Sequence, residues 1–357
     1  MRVGFLLILY FGSIQAFAYP ELSRHGYTNC NACHLSPSGG GLLTSYGREL
    51  SKESLSTWSK EGEQYFAYEA LKPNEKVLLG AYVRGLQVLQ ITPDVETART
   101  ILMQADAEAG YNEKKWAADA SIGRQEIRSG LNSDGRLFSR RHFVLYRIDD
   151  NWTVRAGKFL RFYGLNDANH NLYVRRELGF GFDTETYNLE VSSLGENWAV
   201  YLTYVDGLKE QAETISASYF FNEKQKIGFS IYRGEDSVNR RLLGGPWGII
   251  SIMPKIFLLS EFDWQSKEFK SGQPTQKGYV TSNRLNYEWV QGLINFLSFE
   301  KKYLNSDDPN SEQNSYGIGL QFFPRPHIEM VASWQKEIVI STNSPSDLYW
   351  LMLYFYL

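Results

Sequence analysis

The chain has 357 residues, with 37 Lys and Arg against 40 Asp and Glu, for a net charge of −3. That near balance excludes the basic face a nucleic-acid partner needs. Beyond the extreme N-terminus no stretch is long and apolar enough for a membrane-spanning helix, and no linker or composition break separates two soluble domains. Aromatic residues make up 15 %, with 23 Tyr and 9 Trp. Such rings suit membrane interfaces, where one edge stays wet and the other lies in hydrocarbon, although a large soluble β-sandwich or propeller has a similar composition.

Taken in chain order, Arg2, the apolar run from Phe5 to Phe11 and the sequence Ala16-Phe17-Ala18 read as a secretory leader over 1–18, cleaved before Tyr19. The apolar run is too short to cross a bilayer, and no cysteine stands at the cleavage point. The chain is therefore expected to leave the cytoplasm.

Residues 19–76 form a second unit. Cys30-Asn31-Ala32-Cys33-His34 holds the only two cysteines. C-x-x-C-H is the attachment signature of c-type haem. Two thiols at this spacing reach the two vinyl groups on one porphyrin edge, and His34 then lies under the iron as proximal ligand. One covalent haem c on Cys30 and Cys33 is the expectation. A disulfide or redox pair is a second reading, because exported cysteines oxidise; zinc is a third, short of a fourth ligand. Glycines 39–41 let the backbone pass close to a flat group, and short helices are expected near 42–51 and 60–71. The unit has no Met, and its only other histidine is His25. It therefore needs the rest of the chain to enclose a haem, as a periplasmic cap or as a plug in a barrel lumen. His170 is the favoured sixth ligand, with His25 second. His142 opens a strand and could face the lumen, and His327 follows Pro326 in a turn, so both are weaker. An empty sixth position would leave the iron open to small ligands.

From Val77 to Leu357 period-two alternation dominates. Ala105, Ala107, Ala109 and Tyr111 alternate with Gln104, Asp106, Glu108 and Gly110; Trp116, Ala118, Ala120 and Ile122 alternate with Ala117, Asp119, Ser121 and Gly123. One apolar and one polar face is what a strand between lipid and a watery lumen needs. Strands are expected near 77–90, 101–111, 115–125, 142–149, 152–159, 186–194, 197–206, 213–221, 226–233, 242–251, 255–265, 278–290, 292–303, 314–323, 326–340 and 346–357. That is about 16, with 14 or 18 also compatible, many near the ~9–11 residues of a tilted membrane strand. Tight turns at 112–114, 149–151, 222–225 and 323–325 alternate with long polar loops at 160–185, 266–277 and 304–313. The fold class is thus an all-β, transmembrane antiparallel β-barrel over 77–357 with a short irregular and helical N-terminal segment.

The connection 160–185 reads as a loop folded inward. With its flank it carries Arg155, Lys158, Arg161, Arg175 and Arg176. Arginine pairs bidentately with carboxylates, so Arg161, Arg175 and Arg176 are candidates for the haem propionates. For any single one, a solvated charge or a pore lining that counters Asp106, Glu108 and Asp119 is the better reading. No hydrolase or nucleotide motif occurs; Ser139 lies near His142, a very weak signal for lipid-face catalysis. The last strand runs to the final residue, with Tyr349, Leu351, Leu353, Phe355 and Leu357 on one face. It resembles the C-terminal signal of bacterial outer-membrane barrels.

The run from Cys30 through Ser36-Pro37-Ser38 to Gly39-Gly40-Gly41, with Tyr46-Gly47 after it, resembles a group of bacterial outer-membrane porin-like β-barrel proteins carrying one N-terminal c-type haem motif, CxxCHxSPxGGG. Arg155 to Phe159, Tyr163 to Leu165 and Asn169-His170 to Arg175 also resemble that group's mid-barrel segment, with Asn169 where an acidic residue is expected. The resemblance implies haem binding and electron transfer in the outer membrane. The function expected is one-electron transfer at or across that membrane, with a periplasmic electron carrier as partner and lipid around the barrel, an electron carrier rather than an enzyme. The alternative is a porin-like channel for small solutes with a haem- or disulfide-stabilised plug and no redox role.

Overall fold

The computed structural model describes residues 25–27, 29–65, 76–124, 137–167, 169, 171–181, 184–207, 210–221 and 224–357. Among the described residues seventeen strands follow one another: β1 (Val77–Ile91), β2 (Glu96–Asn112), β3 (Trp116–Arg124), β4 (Leu137–Phe138), β5 (His142–Arg147), β6 (Trp152–Phe159), β7 (Thr186–Leu194), β8 (Trp198–Asp206), β9 (Glu210–Phe221), β10 (Gln225–Asp236), β11 (Asn239–Met253), β12 (Ile256–Phe269), β13 (Gln276–Val290), β14 (Leu293–Tyr303), β15 (Glu312–Phe322), β16 (Ile328–Val339) and β17 (Ser344–Tyr356). Both β4 and β5 pair with β3 and share one place, so the barrel has 16 staves. All pairs are antiparallel. The last strand returns to the first, with Tyr82 opposite Tyr356 and Ile91 opposite Asp347. Closure removes the sheet edge, which lipid cannot satisfy.

The alternation seen in the sequence sorts into an outer and an inner face. Val83, Leu202, Ile215 and Leu351 are exposed, while Glu108, Glu190, Ser216, Asp263 and Asn286 are buried inside. On β17, Tyr349, Leu351, Leu353 and Phe355 point outward, and Trp350 and Tyr356 point inward. β2, β11, β12 and β13 run longer than expected. Their extra residues, such as Glu96 to Thr100, lie past the hydrocarbon, where both faces are wet and the alternation fades. The two-residue β4 lacks any periodic signal of its own.

The barrel ends differ. The connections 113–115, 148–151, 195–197, 254–255, 291–292 and 323–327 are short and lie at one end; 160–185, 270–275 and 304–311 lie at the other. Short turns mark the periplasmic end of such barrels. There Tyr111, Trp116, Trp152, Trp198, Tyr219 and Trp289 form an outward aromatic girdle.

The N-terminal residues pack on inward-facing side chains near this same end. A 3₁₀ turn over Cys30–Ala32 leads to α1 (Ser45–Leu50), whose cap Thr44 accepts from Gly47 N at 3.1 Å; a π-helical turn, Ser51–Leu55, follows. The helix expected near 42–51 is present in α1; that near 60–71 falls partly outside the described residues. Leu35 and Leu42 join Leu78, Ala117, Phe143, Leu145 and Phe159 in one buried cluster.

The connection between β6 and β7 crosses the interior and docks on the far wall. Tyr163 Oη donates to Asp263 at 2.7 Å, Leu165 N to Glu261 at 2.9 Å and Tyr173 Oη to Glu337 at 3.0 Å. Gly164 has φ 63°, and a Cβ there would overlap the Glu261 carboxylate. The connection carries α2 (Tyr173–Arg176).

The outer face sets a direct test. Leu202→Arg, in the middle of β8, is expected to destabilise the barrel in liposomes by about 2–4 kcal/mol, the depth-dependent cost of a cation on the lipid face. The adjacent inward Thr203→Ser is expected to change little. Urea unfolding followed by tryptophan emission measures both.

Candidate functional site

Between the N-terminal residues and the inward connection lies a cavity of about 260 Å³. Cys30, Cys33, His34 and glycines 39–41 line one side; Phe162, Leu165, Asn166, Arg175 and Phe180 line another; Tyr82, Arg84, Trp247 and Tyr354 of the strands complete the wall.

The motif residues are held from several directions. Cys33 N and His34 N donate to Cys30 O at 3.2 and 3.0 Å, which brings the three side chains onto one turn. Gly47 lies so close to Cys33 that a Cβ would overlap its carbonyl oxygen. Glycines 39, 40 and 41 have φ of 80°, 72° and 68°. A Cβ on Gly41 would meet the Arg141 guanidinium at 2.8 Å, so this guanidinium lies flat on the glycine backbone. Arg141 is itself held by Glu108 at 2.8 and 3.1 Å.

His34 Nδ1 lies 3.3 Å from the Gly41 carbonyl. That contact selects the tautomer with its proton on Nδ1 and leaves the lone pair on Nε2. Burial lowers the His34 pKa to about 4, so the imidazole is neutral at ordinary pH, as a metal ligand must be. Burial likewise pushes the Cys30 thiol up and that of Cys33 up to about 12. The two cysteines are not bonded to each other, and no group of three or more His, Cys, Asp or Glu among the described residues is placed to hold a metal ion. Two thiols and an oriented neutral imidazole on one cavity wall fit what a covalently attached porphyrin asks of a protein.

The other sequence candidates are spread out. Arg175 lines the cavity. Arg161 is buried beside it and donates to the carbonyls of Gly179 and Thr184 at 3.1 and 3.5 Å. Arg176 is half-exposed and paired with Glu177 at 3.1 Å, outside the cavity lining. His25 is half-buried and does not line the cavity; His170 lies outside the described residues. His142 faces outward, edge-on to Tyr187. Its Nδ1 is 2.8 Å from Ser139 Oγ, but that hydroxyl donates to the Arg141 carbonyl at 2.9 Å. The hydroxyl proton is thus engaged elsewhere, and the pair reads as a turn contact. Sequence reasoning missed Arg84, Arg140 and Arg141 as lining residues. On a barrel strand or rim an inward arginine carries no pattern that separates it from any other.

The N-terminal residues and the inward connection touch. Arg155 donates to Ser36 Oγ at 2.7 Å, Ser38 Oγ at 3.0 Å and Glu190 at 2.7 Å. Asn166 Nδ2 donates to Ser38 O at 2.8 Å and Tyr201 Oη to Pro37 O at 2.9 Å. At the short-turn end Thr57 N and Trp58 N donate to the carbonyls of Phe323 and Pro324 at 2.9 and 3.0 Å, Gln291 donates to Glu53 O and Ser56 O, and Arg325 pairs with Glu63.

No family model matches the chain, and no curated protein matches it. Solved structures similar to it include a loop-deletion form of OmpT, an outer-membrane protein of Vibrio cholerae (TM-score 0.60, 10 % identity, 79 % of this chain and 100 % of that one). An anion-selective porin from Comamonas acidovorans has a TM-score of 0.62 at 9 % identity, covering 79 % of this chain and 99 % of that one. The outer-membrane channel DcaP of Acinetobacter baumannii has 0.56 at 12 %, covering 80 % and 99 %. The fold is that of the porin-like outer-membrane barrels.

His327, in the turn before β16, anchors the N-terminal residues: its Nε2 lies 3.1 Å from Gln64 O and its N donates to Ser51 Oγ at 3.3 Å. Burial, reinforced by Arg48, lowers its pKa to about 4 from the ordinary 6.5. Below 6.5 the unfolded chain binds the proton and the folded one does not, so this anchor weakens as pH falls from about 6.5 to about 4 and is constant above. Limited proteolysis of residues 29–65 is expected to accelerate over that window, and His327→Gln is expected to flatten the pH profile.

Proposed function

We propose that the chain is a porin-like channel of the outer membrane whose lumen is narrowed by its N-terminal residues, acting as a plug that a covalent haem c stabilises. The observation that carries this reading is that the N-terminal residues lie inside a closed barrel, held to the inward connection by Asn166 on Ser38 and to the β6 wall by Arg155 on Ser36 and Ser38. Polar residues line the interior and lipid-facing residues the outside, so small hydrophilic solutes are the cargo the lumen suits.

In this reading Cys30 and Cys33 anchor the porphyrin edge, His34 offers Nε2 to the iron, and the Gly41 carbonyl holds that ring in place through Nδ1. Arg175, and Arg161 behind it, supply positive charge near the propionates. Bound haem would supply a one-electron couple and an iron position for a sixth ligand. The neutral, oriented imidazole of His34 favours a second reading, one-electron transfer with a periplasmic carrier, in which the same residues hold the redox group and the barrel tunes it by burial.

Two measurements test these readings. Reconstituted into planar bilayers, the chain is expected to give small conductance steps that grow about several-fold in Arg155→Ala, which releases Ser36 and Ser38. No conductance in either protein would sink the channel. The mature chain is expected to weigh a haem more than its peptide and to keep a Soret band after acid-acetone extraction; bare peptide mass would remove both haem readings and leave the channel standing.

A further inference from the structure

Residues 55–58 carry the chain over the rim of the barrel. Leu55 packs inside, in one cluster with Cys33, Leu50 and Phe323. Three positions on, Trp58 is 60 % exposed, and its ring meets Phe322 of β15 edge-on at 5.5 Å. Phe322 belongs to the lipid-facing side. Its chain neighbours Gln321 and Phe323 are buried inside, and Leu293 and Met330, opposite it on β14 and β16, face outward with it.

The crossing is fixed by the two turns it passes between. Thr57 N and Trp58 N donate to the carbonyls of Phe323 and Pro324, and Thr57 Oγ1 donates to Gln291 O at 2.8 Å. Gly292 has φ 79°, and a Cβ there would overlap the Leu55 carbonyl. Trp58 is thus held beside the turn that follows Trp289, at the level of the aromatic girdle. The girdle has a gap at this place. From β14 through β17 to β1, the outward residues of the short-turn end are Leu293, Phe322, Met330, Phe355, Val77 and Leu79. Trp289 on β13 and Tyr111 on β2 bound this run, the longest without an outward Trp or Tyr among the described residues. Trp58 lies against β15, inside the gap. An indole suits that level, with an apolar face for the acyl boundary and an N–H for the headgroups.

We infer that Trp58 is a membrane anchor. Its indole lies in the headgroup layer of the leaflet at the short-turn end and fastens the N-terminal residues to lipid as well as to the barrel. The inference shares with the channel reading only the seating of residues 29–65 in the barrel. It needs neither the haem nor the passage of solutes.

Photo-labelling of the full-length protein in phosphatidylcholine liposomes tests the contact. A phospholipid with a diazirine beside its headgroup is expected to label the peptide that contains Trp58 more strongly than one with the diazirine at the chain end. No label from either lipid leaves the indole to water or to a protein partner and overturns the inference, as does equal or stronger label from the chain end. Anchoring is read from proteolysis of residues 29–65 in the same liposomes. Trp58→Ser is expected to speed it several-fold, and Trp58→Tyr, which keeps an interfacial ring, to restore the parent rate. Trp58→Leu keeps an apolar contact with Phe322 but loses the polar edge, and is expected to behave like Trp58→Ser. A Trp58→Leu rate equal to the parent's makes packing on Phe322 the whole effect and overturns the anchor; so does a Trp58→Ser rate equal to the parent's. Circular dichroism checks that each variant folds. Absence of conductance, or bare peptide mass, removes the channel or the haem and leaves this inference standing.

Discussion

Lipid offers the backbone no hydrogen bonds, and the pairing of β1 with β17 is the answer on which everything else in this molecule depends. Once Tyr82 sits opposite Tyr356, every strand has two neighbours and the sheet has an inside. The inside is then a separate solvent. Glu108, Glu190, Asp263 and Asn286 are buried there without touching hydrocarbon, and they meet arginines, a tyrosine and backbone carbonyls. The same closure leaves room for segments that could not fold alone. Leu35 and Leu42 have too little company in residues 25–65 to form a core, and they find it in Leu78, Phe143 and Phe159 of the wall.

The interior is organised by charge as much as by packing. Arg155 is almost wholly buried, lies over the Phe159 ring at 3.6 Å and joins Glu190 on the wall to two serines of the N-terminal residues. Removing Arg155 or Glu190 alone would strand a buried charge. This makes the seat of residues 36–38 specific in position. Hydrophobic contact alone would allow the chain to slide, and a hydrogen-bonded guanidinium does not.

The barrel was legible in the chain because lipid and water on opposite sides impose a period of two that few other environments sustain over sixteen staves. The alternation of Asp106 and Glu108 with Ala105, Ala107 and Ala109 shows in the sequence which face is wet. Strand ends past the bilayer were less legible, since both faces there are polar, as at Glu96 to Thr100. β4 was invisible because two residues carry no period. Of the site, Cys30, Cys33 and His34 were legible as a motif from their spacing alone. Arg84 and Arg141 were not: which inward residues border a cavity depends on where residues 36–41 and 160–185 come to rest, and that is decided by contacts more than a hundred positions apart, such as Asn166 on Ser38.

Those long-range contacts also tie the cavity to the seating of the N-terminal residues. Arg175 donates to Asn166 Oδ1, Asn166 Nδ2 donates to Ser38 O, and Ser38 Oγ accepts from Arg155. At Cys30 the same stretch closes up again, with Gly39 packed so near that a Cβ would stand 3.2 Å from its sulfur. The inner surface is thus continuous from the cysteine turn to α2, through short polar contacts with little slack.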